Sequence, residues 1–186
     1  MAIGTITWAI MIIAILIIII AVYYFNRFVT LENRIKNSSA QIDVQLKKRA
    51  DLVPSLVKVV KSFAKHEKAI MDSVTKAREN LVKGGNLQEK VKAGDQLQNA
   101  LKSIFAIAEN YPQLQSNQNF LQLQKELSAI EDKVAYARQY YNDSVLDLEN
   151  ASQKLPGNIF FKLFGRESKD YLKITETERA MPSIDL

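Results

Sequence analysis

The sequence predicts an all-α protein: an N-terminal transmembrane helix followed by an antiparallel up-and-down four-helix bundle. Three observations carry this. No charged side chain precedes Arg27. Beyond Leu31, apolar residues recur in steps of three, four and seven, and no alternation of period two is long enough for a sheet. Six Gly and four Pro in 186 residues leave few places for the chain to turn.

The first element is the stretch from Ile3 to Phe25. As a helix it is roughly 35 Å long, against a hydrocarbon core of about 30 Å. Trp8 at one end, and Tyr23 and Tyr24 at the other, have the place and chemistry of transmembrane-interface anchors. The stretch is apolar all round, unlike the one-sided stripe of a surface helix. A cleaved signal peptide would want positive charge at its start, a shorter apolar run and a small-x-small cleavage site. Here the start has no Lys or Arg and the run ends in Tyr-Tyr-Phe. Arg27, Arg34 and Lys36 follow the span and nothing basic precedes it, so the positive-inside rule puts the N-terminus outside and the rest of the chain in the cytoplasm. The expected organisation is a single-pass anchor over 1–27, a helical bundle over 28–155, and a short amphipathic segment with a polar tail over 156–186.

Within the bundle, Ile35, Ile42, Leu46, Val53, Leu56 or Val57, Val60, Ala64, Met71, Val74 and Leu81 follow helical spacing up to the Gly84-Gly85-Asn86 break. Leu87, Val91, Leu97, Leu101, Ile104 and Ala108 follow, with a weaker start where Gly94 and Asp95 interrupt, and Asn110-Tyr-Pro112 ends the stretch. The final seam is the most regular, from Phe120 through Leu127, Val134, Tyr141 and Leu148 to Leu155, and Pro156-Gly157-Asn158 stops it.

Pro54 decides between two architectures. A turn at Asp51-Leu-Val-Pro54 yields helices of about 24, 30, 23 and 39 residues, which match as a four-helix bundle. Asp51 would cap the second helix, with Pro54 in its first turn. The alternative is a three-helix bundle with its first helix kinked at Pro54, which the nearly unchanged heptad phase favours. Burial of the seams favours the turn. The turn would also bring Ile159-Phe-Phe-Lys-Leu-Phe-Gly165 back to the bilayer, whereas a rod kinked at Pro54 would leave it far away.

Reactive constellations are missing. There is no Cys, which excludes disulfides, thiolate metal sites and cysteine nucleophiles. The one histidine, His66, lacks a second His four residues on, where Ile70 stands, and lacks a Glu three residues before it, where Phe63 stands. No Gly-x-Ser-x-Gly elbow and no phosphate loop occurs. His66, among Lys65, Glu67 and Lys68, reads as a surface residue. No enzyme activity, catalytic residue, metal, cofactor or small-molecule substrate is expected.

Two features could contact something. Lys58, Lys61, Lys65 and Lys68 step by three, four and three along one helix face. Such a face is either simply solvated or meets anionic lipid or an acidic partner. Nucleic acid is not expected, since no aromatics interleave with the lysines and the net charge is only +5. Phe160, Phe161 and Phe164, with Ile159 and Leu163, either cap the bundle's end or dock to the membrane or a partner. Tyr141 lies on the last seam, so its hydroxyl needs a buried partner, and Arg138 and Asn142 flank it in a register-fixing polar network. The tail from Ser168 to Leu186 is mixed and polar and is expected to be partly disordered.

With these residues in view, the chain resembles the LemA family of bacterial membrane proteins. The resemblance is carried by Glu32-Asn33-Arg34-Ile35-Lys36-Asn37, Ala40-Gln-Ile-Asp-Val-Gln-Leu-Lys-Lys-Arg49, Asp51-Leu-Val-Pro-Ser-Leu56 and Lys65-His-Glu-Lys68. It resumes at Ala137-Arg-Gln-Tyr-Tyr-Asn-Asp143, Leu155-Pro-Gly-Asn158 and Met181-Pro-Ser-Ile-Asp185. Ser39 departs from it, standing where relatives carry a large aromatic. The resemblance implies an N-terminal membrane helix, a helical bundle facing the cytoplasm, a place in the bacterial cytoplasmic membrane, and no established activity or cofactor. The expected partners are the lipid bilayer and either another protein or a second copy. The expected role is a membrane-tethered interaction or scaffold module; the alternative is a membrane-shaping or anionic-lipid-binding protein.

Overall fold

The computed structural model describes residues 2–173, with side chains from residue 6 onward. Six helices occur in order: α1 (Ala2–Phe63), α2 (Lys68–Lys83), α3 (Leu87–Ala108), α4 (Pro112–Gln115), α5 (Gln118–Gln153) and α6 (Gly157–Leu163). Among the described residues there is no strand. The described chain falls into two compact units. One comprises 2–37 and 140–171, and the other 38–139 with 172–173.

α1 corrects the expected path. It runs unbroken through Asp51-Leu-Val-Pro54, so the turn expected there does not exist and the first break comes only after Phe63. A proline inside a helix removes one hydrogen bond and costs about 3 kcal/mol. Two observations explain its tolerance. The carbonyl that a residue-54 N–H would have bonded belongs to Ala50, and Arg78 Nε of α2 donates to it at 2.8 Å. In addition, Ala50, Val53, Leu56 and Val60 around the proline are all buried, and breaking the helix there would expose this seam. The chain leaves the helix later, over Ala64–Glu67, where Ala64 N–H still bonds the Val60 carbonyl at 2.8 Å. Burial of the seam does force a reversal, about three turns beyond the proline.

The remaining starts follow local rules. α3 opens with a reciprocal capping box: Asn86 Oδ1 accepts from Glu89 N at 2.9 Å, and Asn86 N donates to Glu89 Oε2 at 3.4 Å. Pro112 opens α4, where its missing N–H is harmless. Asn117 Oδ1 accepts from Phe120 N at 3.1 Å at the head of α5. Gly94 and Asp95 do not interrupt α3. A Cβ at Gly94 would lie 2.6 Å from Leu46 Cδ2, so the glycine lets α3 and α1 approach closely.

In the 38–139 unit the core is the aliphatic seam of α1 (Ile42 to Val60), Met71 to Leu81 of α2, Val91 to Ile104 of α3, and Phe120 to Val134 of α5. In the other unit, Phe28, Leu31 and Ile35 of α1, Tyr141, Val145, Leu148 and Ala151 of α5, and Phe160 of α6 are buried. Ser39, the departure from the resemblance, is half-buried beside the fully buried Ser38. The final seam ends earlier than expected. α5 stops at Gln153, and Leu155 is 75% exposed.

Part of the expected tail is ordered in the structure. Residues 168–173 follow an irregular path in which Leu172 is buried. The Asp170 carbonyl accepts from Tyr141 Oη at 3.2 Å, and Tyr171 Oη donates to Glu149. Residues 174–186, including the Met181-Pro-Ser-Ile-Asp185 stretch, lie outside the described residues.

Candidate functional site

The first candidate lies where the charge-free part of α1 ends. From Ile6 to Ile19 the large apolar side chains are exposed, with nothing among the described residues covering them. The helix is long and apolar enough there to cross a membrane. Trp8 and Tyr23, two of the three expected interface anchors, are 67% and 58% exposed. The third, Tyr24, is half-buried. Its ring stacks on Phe160 at 5.8 Å between centroids, with 16° between the planes. Phe25 meets Phe164 edge to face at 5.4 Å, and Phe28 meets Phe161 at 5.3 Å. Each of the three expected docking phenylalanines therefore has a ring partner on α1, and none of the three is freely exposed.

The local sequence explains why α6 can lie so close to α1. A Cβ on Gly157 would sit 2.2 Å from the Ala151 carbonyl oxygen and 2.8 Å from the Tyr24 ring. Neither a backbone oxygen nor a packed ring can yield by that much, so this position requires glycine. Beyond α6, Arg166 closes the cluster. Its guanidinium carbon lies 5.1 Å from the Phe25 ring centroid and 6.0 Å from that of Phe28, and it pairs with Glu32. The charge is thus held between an aromatic face and a carboxylate, an arrangement suited to arginine rather than lysine.

The second candidate is a buried charge network in the 38–139 unit. Arg49 is 1% exposed and pairs with Glu131 of α5. It also donates to the Gly94 carbonyl at 3.2 Å. Burial lowers its pKa to about 10, with Arg138 pushing in the same direction and Asp95 opposing. Arg138 is also buried; it bonds Asp95 Oδ1 and the Lys173 carbonyl, both at 3.0 Å. The network alternates two guanidiniums with two carboxylates, one pair per helix crossing. A surface hollow of about 470 Å³ opens beside it, lined in part by Glu89, Val91, Asp95 and Leu172. The carboxylate of Asp95 is engaged by Arg138, so the arrangement resembles a lock on helix register more than a reactive centre.

Arg49 could have been read from the sequence. It falls in the seam itself, between Leu46 and Val53, and a charged residue at a core position demands a buried partner. Nothing local in the sequence marks Glu131 as that partner. Tyr141 behaves as its seam position requires, buried with its hydroxyl donating to Asp170 O. Its pKa is raised by burial and, secondarily, by Asp170.

The lysine stripe is not one helix face. Lys58 and Lys61 lie on α1, Lys65 in the turn and Lys68 at the start of α2, all exposed. The stepping of three and four gives a common face only within an unbroken helix, and the break at Ala64–Glu67 removes that condition. His66 is exposed in the same turn.

Magnetosome protein MamQ of Magnetospirillum gryphiswaldense is 25% identical over 173 residues, covering 79% of this chain and 64% of the relative. Magnetosome proteins MamQ 1 and MamQ 2 of Paramagnetospirillum magneticum are each 23% identical over 175 residues, covering 80% and 64%. The chain thus spans 64% of the length of these curated relatives. The model of the LemA family matches residues 38–186, which include the helices of the second unit and the Leu155-Pro-Gly-Asn158 stretch. The chain belongs to the LemA family.

Proposed function

We propose that this chain is a non-enzymatic, single-pass protein of the bacterial cytoplasmic membrane, and that its helical region serves as an interaction or scaffold module on the cytoplasmic side. The carrying observation is α1. One continuous helix contains both a charge-free, fully exposed apolar stretch and the buried seam of the 38–139 unit. The positive flank of Arg27, Arg34 and Lys36 supports the cytoplasmic orientation.

The absence of cysteine makes a direct test available. Ser73 of α2 is exposed. A Ser73→Cys variant in intact cells should resist a membrane-impermeant maleimide and react once the cells are opened. Labelling in intact cells would reverse the orientation. The scaffold role predicts that crosslinking in membranes recovers a defined partner or homo-oligomer, and recovery of the monomer alone would refute it. The second reading, membrane shaping or anionic-lipid binding, draws on the aromatic cluster at the end of the span.

A further inference from the structure

The three phenylalanines of the C-terminal segment face α1, which leaves a different set of side chains outward. Leu155, Ile159 and Leu163 are 75%, 59% and 71% exposed. They are spaced by four, so Ile159 and Leu163 share one edge of α6 and Leu155 precedes it in the turn. Three large exposed aliphatic side chains within nine residues are costly to leave in water. The nearby chain is basic: Lys154, Lys162, Arg166 and Lys169 stand against the single acid Glu167 between 154 and 169.

The position of this edge along α1 identifies what covers it. α6 is fixed by its rings to Tyr24, Phe25 and Phe28. Those residues flank Arg27, the first charge after the apolar stretch, and sit where a spanning helix passes from hydrocarbon to headgroups. We propose that α6 is a membrane foot: its Leu155–Ile159–Leu163 edge inserts into the interfacial zone of the bilayer that α1 crosses, with Lys154, Lys162 and Lys169 among the lipid headgroups. This inference rests on the reading of α1 as a transmembrane helix. It commits to lipid as the occupant because the ring contacts fix α6 at Tyr24, Phe25 and Phe28, where the exposed apolar stretch of α1 ends, and because the basic flank matches anionic headgroups. The foot gives the protein a second hold on the membrane, about 130 residues along the chain from the first. A helix that lies in the interface beside a transmembrane span also resists rotation of that span about its own axis.

Single-cysteine variants of the full chain test this. Ile15→Cys, Ile159→Cys, Leu163→Cys and Lys162→Cys would each carry an environment-sensitive fluorophore in bilayers containing brominated phosphatidylcholine and phosphatidylglycerol. Expected is strong quenching at Ile15, substantial quenching at Ile159 and Leu163, and clearly weaker quenching at Lys162. Quenching at Ile15 alone would overturn the foot and leave the span standing. Absence of quenching at all four positions would overturn the span and the foot together. Emission at Ile159 that is blue-shifted but unquenched, and that reverts on dilution of protein in lipid, would assign the edge to a second copy of the chain and overturn the foot. Circular dichroism of each variant, unchanged from the parent, confirms that the label has not unfolded α6.

Discussion

The two units of this molecule are held together by different physics. The 2–37/140–171 unit is closed by rings: Tyr24 and Phe28 of α1 against Phe160 and Phe161 of α6, and Phe25 against Phe164 just after it, with one guanidinium, Arg166, lying over Phe25 and Phe28. The other unit is closed by aliphatic seams that carry buried ion pairs, Arg49 with Glu131 and Arg138 with Asp95. Ring contacts tolerate a surrounding that is partly lipid, because they do not themselves depend on excluding water from a charge. A buried guanidinium such as Arg49 depends on its carboxylate, and its burial becomes a cost when that partner goes. The contrast lies in how each guanidinium is held: Arg166 lies over rings and pairs with Glu32, whereas Arg49 and Arg138 are set into aliphatic seams.

Substitutions can break or sharpen this contrast. The largest expected effect is at Arg49. Arg49→Ala removes a buried cation and strands Glu131, which is 35% exposed, and should destabilise the protein by about 3 kcal/mol. Thermal unfolding of the detergent-solubilised protein, followed by far-ultraviolet dichroism, measures it. A loss below that of an ordinary surface substitution would show the network to be ornamental. Arg49→Met, which fills the volume without charge, should recover part of the loss.

Next is Gly157→Ala. Its methyl cannot fit against the Ala151 carbonyl and Tyr24, and overpacking of this kind costs about 1–3 kcal/mol. The ring cluster should loosen and the exposed Lys154 and Lys162 should become faster trypsin sites, while the Arg49 network keeps its amide protection. Equal loss of protection around Arg49 would erase the distinction between the two units.

A smaller effect is expected from Arg78→Ala, which leaves the Ala50 carbonyl without its donor. An unsatisfied acceptor of this kind costs about 1–2 kcal/mol. The sharper prediction is a coupling. In a Pro54→Ala background the new N–H can bond Ala50 itself, so Arg78→Ala should cost clearly less there. Additive effects in the double-mutant cycle would show that Arg78 does not compensate the proline.

The smallest is Tyr141→Phe, about 1 kcal/mol for one hydrogen bond to the Asp170 carbonyl. It also carries a pH signature. The folded-state pKa of Tyr141 is raised, so its contribution is fully present below the ordinary tyrosine value of about 10 and is lost as pH rises through the folded value. Unfolding midpoints between neutral and strongly alkaline pH should fall more steeply for the parent than for Tyr141→Phe.

Much of this architecture is legible in the sequence. The charge-free run ahead of Arg27 identifies the exposed stretch of α1, and the periodic seams name the core. Ile42, Leu46, Val53, Leu56, Val60, Val74, Leu97, Leu101 and Leu148 are all 2% exposed or less. Leu155 departs from its seam because Pro156 cannot continue the helix, and α5 ends two residues before it. The return of the phenylalanine segment to the end of the span was expected to require a turn at Pro54. It occurs without that turn, because the last turns of α5 and the first part of α1 belong to one unit.

What the sequence determines by itself is whatever depends on neighbours within a few turns: the apolar span, the helix seams, the cap at Asn86 and the helix start at Pro112. What only the tertiary structure decides is where the first helix ends, which carboxylate meets Arg49, and which edge of α6 is left outward. The reason is one of scale. A proline's local penalty of about 3 kcal/mol is outweighed when a distant arginine satisfies the freed carbonyl and a long seam remains buried. No local reading of residues 51–54 contains Arg78, just as no local reading of residues 155–164 contains Tyr24.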